Sequence, residues 1–303
     1  MSTDRQQKIK SFIIPNVFSI ATMAITRYFI NDGAGQLIAS EFIIIPMVMG
    51  IICAWFWKDL ELVWAQRILY SSLNLFITIG LSYLFLKEGV ICLVIVSPVI
   101  LIFVLIGVSI GRIMFRKINN TLNVSIISIL LFVFIMDAIS KHTYENEVSD
   151  TIIINAPPGK IWKNVVAFEK IKQENQFWLF KMGLPSPIQT TVDGYYNGAG
   201  RKCIFSNGYV FGERISTYEP GKNLVFDIID QPRDPEIMNH LDLLRGQFLL
   251  KDNGNGTITL TGNSWYKLYV FPTWYYDIWA QSIVRNVHIR VMDHIKEISE
   301  HDK

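Results

Sequence analysis

The residues of this sequence whose types could do chemistry are few and widely spaced. His288 and His294 lie six positions apart on one stretch. On a helix that spacing turns their directions about a third of a turn apart, so they do not form a metal pair. Cys53, Cys92 and Cys203 show no Cys-x-x-Cys or Cys…His spacing, which indicates neither a disulfide framework nor a zinc site. No Gly-x-Ser-x-Gly, His-Glu-x-x-His or paired-carboxylate pattern occurs in the C-terminal half. A nucleophile with its base is therefore not legible along the chain, and neither a cofactor nor a metal is expected. Catalysis is not indicated, although shaping and positioning a substrate would need no such motif.

Residues suited to binding are more plentiful. Arg245 follows the stretch QPRDPEIMNHLDLL, where a guanidinium can clamp a carboxylate or phosphate bidentately or pair with Asp242 or Glu213. His240 lies in the same stretch, which is long enough to act as a lid. Cys203 has only Arg201 and Lys202 as cationic neighbours and reads as a small buried hydrophobe. Aromatic residues are dense, among them Trp178, Phe180, Phe211, Phe226, Phe248, Trp265, Tyr266 and Trp279. Strand alternation puts Cys203 with Phe205 on one face, Phe226 with Ile228, and Ser264 with Tyr266 and Leu268. The candidate ligand contacts are Trp178, Phe180, Cys203, Phe205, Phe211, Phe226, His240, Arg245, Phe248, Tyr266, Trp279 and His288. An apolar pocket with a few convergent polar groups has this composition, as does a plain core.

The elements that must position these residues fall into two halves. Half of the 303 residues are apolar, and they crowd into residues 1–140. Segments Phe12–Ile30, Ile38–Trp57, Val63–Leu86, Val90–Ile110 and Ile118–Ile139 approach the ~20 apolar residues that cross a bilayer. The first is interrupted by Pro15, Asn16 and Arg27. Gly107 and Gly111 suit close helix approach, and Asp137 near the end of the fifth segment can reach the interface. Arg5, Lys8 and Lys10 precede the first segment, and Arg112, Arg116 and Lys117 follow the fourth. With five spans these basic stretches mark the cytoplasmic side, and the C-terminal domain lies outside the cytoplasm. Four spans would move it inside. A net charge of +2 points to no nucleic-acid partner.

Residues 141–150 (KHTYENEVSD) read as a polar linker. After it, residues 151–303 show a strand from Thr151, a helix around Ile161–Phe168 and about six strands from Ile188 to Val270. Their breaks are NGAG, SNG, EPGK and DNGNG, each with turn chemistry. An amphipathic helix from Thr273 to Ser299 ends the chain. The stretches IIINAPPGKIWKNVVAFEKI, WLFKMGLPSP, GRKCIFSNG, ISTYEPGKNLVFDI, RGQFLL, GNSWYKL and VHIRVMDHIKEI resemble the START-like helix-grip superfamily, in its polyketide cyclase/dehydrase and lipid-transport branch. The resemblance covers the C-terminal half and implies a curved antiparallel sheet around the last helix, with a cavity for a lipid-like or aromatic molecule. The expected fold class is an all-α transmembrane bundle of about five helices followed by an α+β helix-grip domain. The expected role is a membrane-tethered binding module, with a membrane-bound cyclase, dehydratase or hydrolase as the alternative. The lipid bilayer and a hydrophobic small molecule are the expected partners; protein partners are left open.

Overall fold

The structure, a computed structural model, describes residues 3–29, 40–116, 120–139, 143–232 and 240–301. The chain divides into two units, the first ending at His142 and also taking in Tyr269–Pro272. The expected segment ends Ile30, Ile38 and Ile118 lie outside the described residues, as do positions 233–239 of the QPRDPEIMNHLDLL stretch.

The N-terminal unit is helical: α1 (Thr3–Phe29), α2 (Ile45–Trp57) entered through a wide turn at Ser40–Ile44, α3 (Trp64–Leu81) prolonged by Ser82–Leu86, α4 (Val90–Arg116) and α5 (Asn120–Ile139). Among the described residues four helices are long and apolar enough to cross a membrane: Asp4–Thr26, Ser40–Trp57, Trp64–Leu86 and Val90–Phe115. The fifth expected span keeps a shorter apolar stretch, Val124–Ile139.

Glycine brings α2 and α4 into backbone contact. A Cβ on Gly50 would lie 2.1 Å from the Val104 carbonyl oxygen, and one on Gly107 2.0 Å from that of Met47. A Cβ on Gly111 would lie 2.7 Å from the Ala54 methyl and 3.1 Å from the Ile51 Cα. Three buried polar side chains of the bundle pair with one another, because an amide without water gains from a protein partner. Asn16 Nδ2 donates to Asn74 Oδ1 at 2.8 Å and Thr78 Oγ1 donates to Asn16 Oδ1 at 2.6 Å. Asn16 therefore does not interrupt α1; it faces α3 from inside the bundle. Asp137 corrects an expectation. Its side chain does not reach for an interface: it is 4 % exposed and accepts the Ser40 backbone N–H at 2.6 Å.

The C-terminal unit is a seven-stranded antiparallel sheet with three helices. Its elements are β1 (Tyr144–Ile154), α6 (Pro158–Val166), α7 (Trp178–Lys181), β2 (Pro187–Val192), β3 (Gly200–Phe205), β4 (Val210–Glu219), β5 (Asn223–Asp230), β6 (Leu241–Asp252), β7 (Ile258–Leu268) and α8 (Thr273–His301). The order across the sheet is β1-β7-β6-β5-β4-β3-β2. Helix α8 touches both edges: Arg285 pairs with Asp150 of β1, and Arg290 Nε donates to the Pro187 carbonyl of β2 at 3.1 Å. One helix can reach both outer strands only if the sheet curls around it. The result is a helix-grip fold.

Two boundaries differ from expectation. The strand predicted from Thr151 begins at Tyr144 and pairs with β7 along its whole length, Tyr144 opposite Leu268 and Ile154 opposite Ile258. Most of the expected linker is therefore an edge strand; its charges hid it, since Glu145 and Glu147 face outward while Asn146 and Asp150 find partners inward. Strand β6 likewise starts at Leu241, so Arg245 lies within it.

Replacing Gly107 with leucine should force α2 and α4 apart at a cost upwards of about 3 kcal/mol, since backbone atoms cannot yield to an inserted side chain. Gly80→Leu, at a position with open space around it, should change little. Thermal unfolding of the two variants in detergent separates these outcomes.

Candidate ligand-binding site

Cross-strand register defines what the concave face of the sheet carries. Arg201 opposes Glu213, Cys203 opposes Phe211, Phe226 opposes Gly246, Phe248 opposes Gly262, and Ser264 lies between Gly246 and Val148. Directly opposed residues share a face, and this face looks toward α8. The helix answers with Tyr276, Ala280, Val284, Val291, Met292 and Ile295, all buried. Glycine makes room at two points: a Cβ on Gly246 would meet the Phe226 ring at 2.3 Å, and one on Gly262 the Met292 sulfur at 3.1 Å.

The face is sealed at one end and looser at the other. Ile154, Leu224, Leu260, Met292 and Ile295 are wholly buried within one cluster that also holds Phe226 and Phe248. A separate cluster is built on Phe205 and Phe211, whose ring centroids are 4.5 Å apart, with Cys203, Tyr209, Ile228 and Leu243 only partly buried around them. Cys203 faces inward yet keeps accessible surface. Burial pushes its thiol pKa well up, opposing thiolate formation.

Three polar groupings interrupt the apolar surface. Arg201 and Glu213 form a buried ion pair. The guanidinium carbon lies 4.3 Å from the Phe226 ring centroid, and Nε donates to the Val166 carbonyl at 3.0 Å. Burial raises the Glu213 pKa and the Arg201 charge opposes the rise. Next, Tyr266 OH donates to Asp277 at 2.5 Å, and Asn146 and Gln281 donate to the same carboxylate. Finally, His288 bridges two strands: Nδ1 lies 2.9 Å from Asp150 Oδ2, and Nε2 lies 2.8 Å from Ser264 Oγ. Arg285 Nε completes this set at 2.9 Å from Asp150 Oδ1. Such a chain can orient an imidazole and draw the proton from a hydroxyl. Its members lie on β1, β7 and α8, far apart in sequence, so no local motif announced it.

The residues singled out from sequence do not all meet. Cys203, Phe205, Phe211, Phe226, Phe248, Tyr266 and His288 share the concave side. Arg245 does not: it is more than half exposed on the opposite face and pairs with Asp227 at 2.7 Å, rather than with Asp242 or Glu213. Alternation explains this, because Gly246 and Phe248 take the inward positions of β6. Trp178 is 46 % exposed and meets Trp279 edge-on at 6.3 Å. His240 precedes β6. Phe180 lines a different hollow, a cleft of about 230 Å³ between α8 and the chain before α7 that also holds Ile171, Phe177, Ile289, Arg290 and His294. His294 Nε2 donates there to the Glu169 carbonyl at 3.1 Å.

Burial is the main cause that lowers the pKa of both His288 and His294, against the pull of Asp150 and of the Glu169 carbonyl. Below the ordinary value of 6.5 the unfolded chain then binds more protons than the folded one, so stability is lost as the pH falls through that window. Melting of the C-terminal unit within the full chain should drop between about pH 7.5 and about pH 5.5. The double substitution His288→Gln with His294→Gln should flatten that drop, as thermal scans at several pH values will show.

No protein-family model and no curated protein matches the chain. Solved structures similar to it include truncated norcoclaurine synthase from Thalictrum flavum, at 11 % identity over 54 % of this chain and 99 % of that one, with a TM-score of 0.38. A protein from Nitrosospira multiformis matches at 15 % identity over 52 % of this chain and 97 % of its own, TM-score 0.35. Aha1 from Colwellia psychrerythraea matches at 14 % identity over 52 % and 98 %, TM-score 0.32.

Proposed function

We propose that the chain is a membrane-tethered binding module whose C-terminal unit holds an apolar, lipid-like small molecule against the concave face of its sheet. The observation that carries this reading is the break between the two apolar clusters. Beyond the sealed base, inward-facing Ser264, and Cys203 beside the Phe205–Phe211 pair, keep accessible surface. Side chains that point into a gripped interior and still meet solvent border open space. Mostly aromatic walls with few polar groups suit a greasy ligand of the kind implied by the lipid-transport branch. Tethering keeps such a site near its source and raises effective concentration without new contacts.

Helix α5 completes the tether in this reading. Val124, Ile127, Leu131, Phe132 and Ile135 form an exposed apolar face along it, and such a face is at home in lipid. Its apolar stretch Val124–Ile139, at ~1.5 Å per residue, covers about 24 Å, most of the ~30 Å hydrocarbon core. Five crossings put the C-terminal unit opposite the basic N-terminus, outside the cytoplasm.

Native mass spectrometry of the full-length protein released from detergent should show a copurifying apolar molecule, and Cys203→Trp, which fills the space beside Phe211, should displace it without loss of fold. A protein that emerges empty from several detergents would remove the binding reading. Paired C-terminal reporters, one active only outside and one only inside the cytoplasm, should report the outside; fluorescence from the inner reporter alone would leave α5 out of the membrane.

A further inference from the structure

We propose that Ser264, His288 and Asp150 form a nucleophile, base and orienting carboxylate that hydrolyse an apolar carboxylic ester held against the concave face. The proposal rests on the binding reading for where the acyl chain lies, and on its own geometry for the chemistry.

The hydrogen-bonding roles follow from what each partner can do. Asp150 is ion-paired to Arg285 and only accepts, so the proton of a neutral His288 ring sits on Nδ1 at 2.9 Å from that carboxylate. Nε2 is then a bare lone pair 2.8 Å from Ser264 Oγ, which directs the serine proton toward nitrogen. Burial keeps the ring neutral by lowering its pKa, the main opposing influence being Asp150. Exposure is graded as a nucleophile requires. Ser264 is half-buried, whereas the His288 side chain is 5 % exposed and that of Asp150 16 %. Fastening α8 to β1 accounts for Asp150 with Arg285 and His288. It does not account for a base aimed at the hydroxyl of a half-buried serine.

The surroundings select the substrate class. Gly246 opposes Ser264 in the sheet and the Phe226 ring fills the place of its side chain; Gly262, two residues before Ser264, is covered by Met292 in the same way. The strand positions flanking Ser264 on this face are thus covered by apolar side chains, which suit an alkyl or aryl acyl group and disfavour a charged one. In the first step Ser264 Oγ bonds to the ester carbonyl carbon while its proton passes to His288 Nε2. The carbon–oxygen bond to the leaving alcohol breaks and that alcohol takes the proton, leaving an acyl-serine. Water then adds to the acyl carbon, again giving its proton to Nε2. Return of that proton to Oγ releases the carboxylic acid and restores the serine.

The full-length protein in detergent, treated with an alkyl fluorophosphonate, should carry one adduct that peptide mass spectrometry maps to Ser264. Ser264→Ala should abolish it. His288→Gln should slow it about 10²- to 10⁴-fold while p-nitrophenyl decanoate hydrolysis falls in parallel. In the unmodified chain the labelling rate should drop as the pH falls below the ordinary histidine range, with Asp150, Arg285 and Ser264 the charged or protic groups that His288 contacts from β1, α8 and β7. This profile needs no variant to fold. Absence of an adduct at Ser264, or labelling indifferent to both His288→Gln and pH, overturns the proposal. A copurifying apolar molecule found alongside either result would leave the binding reading intact.

Discussion

Two partly buried carboxylates decide how the last helix lies on the sheet. Asp150 of β1 receives Arg285 and His288 from α8, and Asp277 of α8 receives Asn146 from β1 and Tyr266 from β7. A carboxylate taken from water costs several kcal/mol unless its oxygens are met by donors. Each of these therefore holds the helix at one rotation and one height along the strands. The two contacts are reciprocal, one acid on each partner, so sliding or turning α8 would strand both at once. Apolar packing alone is more forgiving, since greasy surfaces tolerate repacking when volume is conserved.

With the helix pinned, the character of the concave face follows. The end of the sheet near Ile154, Leu224 and Leu260 closes tightly on Met292 and Ile295. Gly262 and Gly246 let a methionine and a phenylalanine ring press against the strands. Farther along, Phe205 and Phe211 form a patch of their own. Arg201 and Glu213 sit between, compensating one another and braced by Phe226. The interior is thus a sealed base, a buried ion pair and a looser aromatic wall, with the imidazole of His288 beside it.

The helical unit obeys the same rule in another setting. Gly50, Gly107 and Gly111 bring α2 and α4 to backbone contact. Asn16, Asn74 and Thr78 then satisfy one another where water is absent. In both units polar residues such as Asn16, Asp137 and Asp150 look out of place in sequence and have a partner on another element.

Sequence alone was enough for the apolar segments, the meander and the closing helix, because each is a periodic pattern that local burial enforces. It also put Cys203 with Phe205, Phe226 with Ile228, and Ser264 with Tyr266 and Leu268 on shared faces. Asp137, Asn16 and the β1 edge were misjudged for one reason: their polar side chains are satisfied by residues 58, 97 and 131 or more positions away. A pairing over such distances leaves no trace in spacing. The union of Ser264, His288 and Asp150 belongs to the same class. Periodicity determined which elements exist and which faces are greasy; only the curling of the sheet around α8 decided which polar groups meet, because a buried charge chooses its partner by proximity in space and not by place in the chain.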